Sequence, residues 1–281
     1  MRNLVRRAKS VYRDEGLRPV VEKSARFVPR YVRHVIGVKG LYRRPRYRSL
    51  LLWWNSRPYT AVADPFTIVK VDPNRIIHVT GRGPNPGRFQ WQDLGKIEKG
   101  NWDMNDERFE DLPVVRALRQ RFEDGIDWEN VEFVQQVIAQ VEHGNVIWRG
   151  CSNEQEVWNA CTRVDRLYER IQSNGYRSKQ SLVEQGEAHP DKYTKGDGFN
   201  RYDEVVVDIG RDGQFLFVDG RHRLAIAKIL GLEEIPVRIS ARHTEWQRIR
   251  EEFDQTASLD QLPASVRDHL GHPDLGDVWS E

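Results

Sequence analysis

Between Gln214 and Gly231 the sequence runs from a strand through a two-residue turn into a helix, with no spare residue at either junction. Gln214-Phe215-Leu216-Phe217-Val218 is an apolar strand, Asp219-Gly220 a sharp turn, and Arg221 to Leu230 a helix closed by Gly231. A helix that begins directly after a strand gathers unpaired backbone N–H groups and the positive end of its dipole at one point. Any fold built on this segment therefore carries an anion-attracting spot at the strand's end.

The first helical turn adds to that spot. Gly220 has no β-carbon to keep a ligand's phosphates away from the backbone. Arg221, His222 and Arg223 supply three side chains able to donate hydrogen bonds, and the arginines carry a fork that matches phosphate geometry. Taken singly, each reads as a solvated arginine or a satisfied core histidine. Together, behind Asp219-Gly220, they read as a phosphate-binding loop.

At these residues the chain resembles the superfamily that includes the ParB partition proteins, the sulfiredoxins and the free-serine kinases. The resemblance runs over 164–240: Ile171-Gln172-Ser173-Asn174-Gly175 looks like the family's helix-ending segment, and Gly231-Leu232-Glu233-Glu234-Ile235-Pro236-Val237 like its closing strand. Sulfiredoxins carry a catalytic cysteine where this chain has Arg221, and without a nucleophilic sulfur their reduction has no route. ParB proteins follow the nucleotide domain with a helix-turn-helix domain, for which about 40 residues after Ser240 leave too little chain. The serine kinases' Asp-Gly-x-x-Arg is matched by Asp219, Gly220 and Arg223.

The resemblance implies an α+β fold: a ParB/sulfiredoxin-like mixed-sheet nucleotide-binding domain over 56–242, with a helical insertion at about 81–150 and a C-terminal helical extension at 243–281. It implies that Gly220, Arg221, His222 and Arg223 hold the phosphates of ATP or another nucleoside triphosphate, while Asp219 binds Mg²⁺ or orients an acceptor hydroxyl. The kinases' separate catalytic glutamate has no match in this chain. Asp103, in Gly100-Asn101-Trp102-Asp103, is the candidate for that role, and a capping residue is the other reading. The expected activity is phosphoryl transfer to a small or lipid-linked acceptor; the rival is a nucleotide-binding switch or nucleic-acid-associated adaptor that transfers nothing. The long polar stretch 176–202 departs from the family pattern and reads either as a lid or as a solvated excursion.

Elsewhere, hydrophobic periodicity predicts two β segments around Asp72-Pro73-Asn74 within 66–80, and helices over 106–123, 128–142, 154–173 after a Ser152-Asn153 cap, 244–253 and 259–270. A strand is expected at 205–209, joined to the next by Gly210-Arg211-Asp212-Gly213.

Charge is distributed unevenly. Of the first 50 residues 15 are Lys or Arg and three are acidic, so this stretch carries +12 and the remainder −10, for +2 overall. Residues 1–55 thus form a basic arm whose apolar residues recur at roughly helical spacing, followed by Leu50 to Trp54. Such an arm can lie on an anionic membrane surface, neutralise nucleic-acid phosphates, or pack on the acidic body. Its continuous apolar stripe favours the membrane, because phosphate contact needs charge alone. No run approaches the length of a membrane-spanning helix. Cys151 and Cys161 lack zinc-ligand spacing and read as reduced thiols, so the expected location is cytoplasmic, peripheral at a membrane.

Overall fold

A computed structural model describes residues 59–82, 89, 93–178, 181–182, 185–186 and 204–279. The chain divides into two units, Met1–Trp53 and Trp54–Glu281, and all described residues belong to the second. The basic arm, its Leu50 to Trp54 run and most of the polar stretch 176–202 lie outside the described residues.

The fold is α+β, organised on a mixed sheet of six strands among the described residues: β1 (Ile68–Val71), β2 (His78–Val79), β3 (Lys96–Glu98), β4 (Val205–Ile209), β5 (Phe215–Asp219) and β6 (Ile235–His243). The strand order is β1-β6-β4-β5-β2, with β3 also on β6. β6 is long enough for two neighbours on one edge: β1 runs antiparallel along Ile235 to Arg238 and β3 parallel along Ala241 to His243. β4 runs parallel on the other edge, and β5 returns antiparallel to it.

Every residue of β4 is buried, as are four of the five in β5, so the Val205-Val206-Val207 run and the Phe215 to Val218 run are covered on both faces. One face carries Val205, Val207, Ile209, Phe215 and Phe217 into the main apolar core. The helices α1 (Pro113–Phe122), α2 (Glu132–Glu142), α3 (Glu154–Asn174) and α4 (Arg221–Ile229) supply the rest of that core, with α4 between the sheet and its fellow helices. Phe109 and Phe217 meet there at 4.7 Å between ring centroids. Truncating either to alanine costs about 3–5 kcal/mol by the usual behaviour of filled cores.

The opposite face is held by a buried polar knot. Asp208, on β4, accepts hydrogen bonds from Thr80 Oγ1 at 2.9 Å, Arg82 Nε at 2.9 Å and the Ala241 N–H at 3.0 Å. The knot ties β4 to β6 and to the segment leaving β2. Burial pushes the Asp208 carboxyl above the ordinary range, against the pull of Arg82.

Several helices start later than their periodicity predicts. The 106–123 and 128–142 patterns each open on a 3₁₀ turn, Phe109–Asp111 and Trp128–Asn130, before α1 and α2 begin. Pro113 fixes the start of α1, since its ring suits a first helical position and no interior one. α3 begins where Asn153 accepts the Glu156 N–H at 3.0 Å and ends before Gly175, as the sequence indicates. At the C-terminus α5 (Thr244–Gln255) matches its prediction, whereas 259–270 splits at Pro263 into a 3₁₀ turn and the short α6 (Ala264–Arg267). The region 81–150, expected to be helical, also contributes β3 to the sheet. Pairing with β6 accounts for a strand too short to show any period of its own.

Candidate phosphate-binding site

β5 ends at Asp219 and α4 begins at Arg221, with Gly220 between them in the left-handed region at φ 92° and ψ 27°. Two demands meet at Gly220. The backbone conformation is one that side chains disfavour, and a β-carbon there would lie 3.0 Å from Val205 Cα. Intrahelical hydrogen bonding starts with the N–H groups of Arg223 and Leu224, both donating to the Gly220 carbonyl at 3.0 and 3.1 Å. The amides of Arg221 and His222 precede the first such bond and stand at the positive end of the helix.

The side chains expected from the sequence gather at this end. Asp219 accepts the Gly220 N–H at 2.7 Å and the Phe89 N–H at 3.4 Å, one on each carboxylate oxygen, and so braces its own loop. Arg223 forms an ion pair with the buried Glu204 at 3.6 Å. Tyr176 approaches the same carboxylate at 3.5 Å through its hydroxyl. Register explains why Glu204 is here: Val206 pairs with Asp219, which brings the residue just before β4 up to the loop.

His222 differs from its neighbours in character. Burial lowers its pKa to about 3, with the charges of Arg149, Arg221 and Arg223 acting in the same direction. It is neutral at physiological pH, so it brings one N–H and one lone pair to the site instead of a third positive charge. Its Nε2 atom is buried and has no hydrogen-bond partner among the described residues. Beside it lies Trp148, ring centroid to ring centroid 6.3 Å, and the Trp148 Nε1 atom is likewise buried without a partner among the described residues. An orphaned buried polar group costs about 1–3 kcal/mol, and here two such groups lie on neighbouring rings.

Asp103 lies elsewhere. Its buried carboxylate accepts Arg211 Nε at 2.8 Å and the Arg211 N–H at 2.9 Å, in the turn that precedes β5. Asp219 closes the far end of that strand, and at about 3.3 Å per residue five strand residues separate the two by about 13 Å or more. The structure therefore brings Asp219, Gly220, Arg221, His222 and Arg223 together and leaves Asp103 fastening the β4–β5 turn. Burial opposes ionisation of Asp103, yet the hydrogen bonds from Arg211 win and hold its carboxyl below the ordinary range.

Three site residues escape sequence reasoning. Glu204 stands at a strand boundary, where an acidic residue is unremarkable until the strand pairing is known. Trp148 and Arg149 sit in a short connection between α2 and α3 that has neither periodicity nor motif. Among the described residues no group of three or more His, Cys, Asp or Glu could hold a metal ion. Mg²⁺ commonly takes only one or two carboxylates with substrate phosphates and waters, and Asp219 is the carboxylate on the loop suited to that part. Comparison with protein-family models, with characterised proteins and with solved structures returns no match.

Proposed function

We propose that this chain is a nucleotide-dependent phosphotransferase with a ParB/sulfiredoxin-like nucleotide-binding domain. The phosphates of ATP or a related nucleoside triphosphate would lie against the start of α4, held by the backbone at Gly220 and by Arg221, His222 and Arg223. Asp219 would hold Mg²⁺ or orient an acceptor hydroxyl. The observation that carries this reading is the junction itself: a left-handed glycine, close against Val205, opens a helix whose first turn bears two arginines. Charge development on a transferring phosphoryl group is met by such fixed donors, and little other chemistry is required of the protein. The basic arm 1–55 would bring the enzyme to an anionic surface, which suits a lipid-linked acceptor.

One observation favours a second reading, a nucleotide-binding switch. Both Asp219 oxygens already accept backbone N–H groups, so the residue also serves as a loop brace that a bound nucleotide would rearrange. The purified full chain, incubated with each nucleoside triphosphate and Mg²⁺, separates the two. Nucleotide-dependent melting shifts with product formation that Asp219→Asn abolishes, binding being spared, support the transferase. Binding without turnover supports the switch, and no melting shift with any nucleotide removes both.

A further inference from the structure

We infer that Glu204 is a positioning residue of this site, holding the Arg223 guanidinium beside the Gly220 loop in readiness for a phosphate; the inference rests on the nucleotide reading of the α4 start. The register that sets Val206 against Asp219 leaves Glu204, the residue before β4, level with the turn into α4. Its side chain has no exposure, and a carboxylate so placed is tolerable only beside an opposite charge. Arg223 supplies that charge, with Nη1 at 3.6 Å from Oε2. The Tyr176 hydroxyl, just past the end of α3, reaches the same oxygen at 3.5 Å.

The guanidinium is set from two sides. While Nη1 faces Glu204, Nη2 stands 3.5 Å from the point where a β-carbon on Gly220 would lie, so the planar group is laid beside the backbone that opens α4. On an exposed helix an arginine samples many rotamers. Here the side chain is only 14% exposed, and its direction is fixed before any ligand arrives. A carboxylate and a phosphate can share one guanidinium, because its five N–H donors form a fork with more than one edge.

Two effects of Glu204 on an anionic ligand oppose each other. Its negative charge repels phosphates through space. Its hold on Arg223 spares the ligand the ordering of a long side chain, which strengthens the grip. Because the carboxylate is paired with the guanidinium, the field that reaches a ligand is that of an ion pair and is small, whereas the orientation remains in full. The second effect therefore wins, and the pair acts as a preset clamp.

The experiment titrates the full chain with Mg²⁺ and each of the four ribonucleoside triphosphates, by calorimetry, and repeats the tightest titration on Glu204→Gln, Arg223→Gln and the double variant. Glu204→Gln should bind at least about fivefold more weakly, although relief of repulsion alone would make it bind more tightly. Arg223→Gln should lose at least about tenfold, the loss of one hydrogen bond to a charged group. The double variant should match Arg223→Gln within about twofold, because Glu204 acts through Arg223. It also replaces the buried ion pair with two neutral amides, which a fold tolerates better than a pair broken on one side. The inference is overturned by a Glu204→Gln protein that binds as tightly as the native chain or more tightly, whatever its melting temperature. Native affinity in Arg223→Gln, or single losses that add in the double variant, overturns it equally, and native binding then leaves the nucleotide reading standing. If Glu204→Gln does not fold, the double variant against Arg223→Gln decides: equal affinity supports the inference, and a difference beyond about twofold in either direction overturns it. A native chain that binds none of the four removes the nucleotide reading and the role of Glu204 with it.

Discussion

Gly220 and Val205 approach so closely that a β-carbon on the glycine would sit 3.0 Å from Val205 Cα and 3.3 Å from its Cγ2. Gly220 also holds φ at 92°. Gly220→Ala must therefore either push β4 away from β5 or shift the start of α4, and both movements disturb the loop. The expected loss is about 1–3 kcal/mol of unfolding free energy, from strain and overpacking together. Urea denaturation reads that loss, and the same preparation should show weakened nucleotide binding. An alanine variant with native stability and native affinity would show that the junction is not the constrained element described above.

The junction was also the most legible part of the sequence, for a physical reason. A strand, a glycine and a helix in immediate succession leave one local solution, so Asp219 to Arg223 converge whatever the rest of the chain does. Asn153 and Gly175 mark the ends of α3 just as locally. Long-range pairing hides the remainder. Lys96–Glu98 is a strand because β6 has an edge for it, and Glu204 is a site residue because Val206 pairs with Asp219. Trp148 reaches His222 only through an unusual backbone turn that no residue pattern announces.

Asp103 offers a contrast with Asp219. Its carboxylate takes hydrogen bonds from both the guanidinium and the backbone N–H of Arg211, at 2.8 and 2.9 Å. Asp103→Asn weakens them, so the protein should melt lower by roughly 2–6 °C, as loss of a turn anchor does in a chain of this size. Nucleotide affinity and turnover should be unaffected. Because the folded-state pKa lies below the ordinary one, the carboxylate's stabilisation is present above the unfolded pKa and is lost as pH falls through the folded value. Lost activity at unchanged melting temperature would return Asp103 to the list of catalytic groups.

The basic arm calls for a separate measurement. With 15 Lys and Arg against three acidic residues in its first 50 positions, it should carry the chain onto vesicles containing phosphatidylserine, at about 1 kcal/mol per basic residue near the surface. Flotation of the full chain should exceed that of a chain beginning at Ser56, and 0.5 M salt should reduce the difference by screening. Equal flotation of the two removes the membrane from the proposal, and salt-sensitive retention on nucleic acid in its place would move the arm to the other polyanion.

His272 makes the fold sensitive to acid. The ring is buried between Phe215 and Trp246, at 4.8 and 4.4 Å between centroids, with Nε2 donating to the Gly213 carbonyl and Nδ1 accepting the Asp274 N–H. Burial lowers its pKa from 6.5 to about 4. The unfolded chain thus binds more protons than the folded one between those values, so stability is complete above pH 6.5 and falls as pH drops towards 4. At pH 5 the expected loss is about 2 kcal/mol from this residue. Asp274 does not blur the result, since Arg242 and Arg250 hold its pKa at about 2 against its burial and it stays charged throughout the window. His222 shifts in the same direction and adds to the loss. Urea midpoints at pH 7.5 and pH 5 should differ accordingly, and His272→Gln, whose amide can still donate to Gly213, should shrink the difference while leaving the contribution of His222. Because the raised carboxyl of Asp208 works in the opposite direction, the decisive comparison is between variants: a pH difference that His272→Gln leaves unchanged would mean that His272 takes up no proton on unfolding in this window.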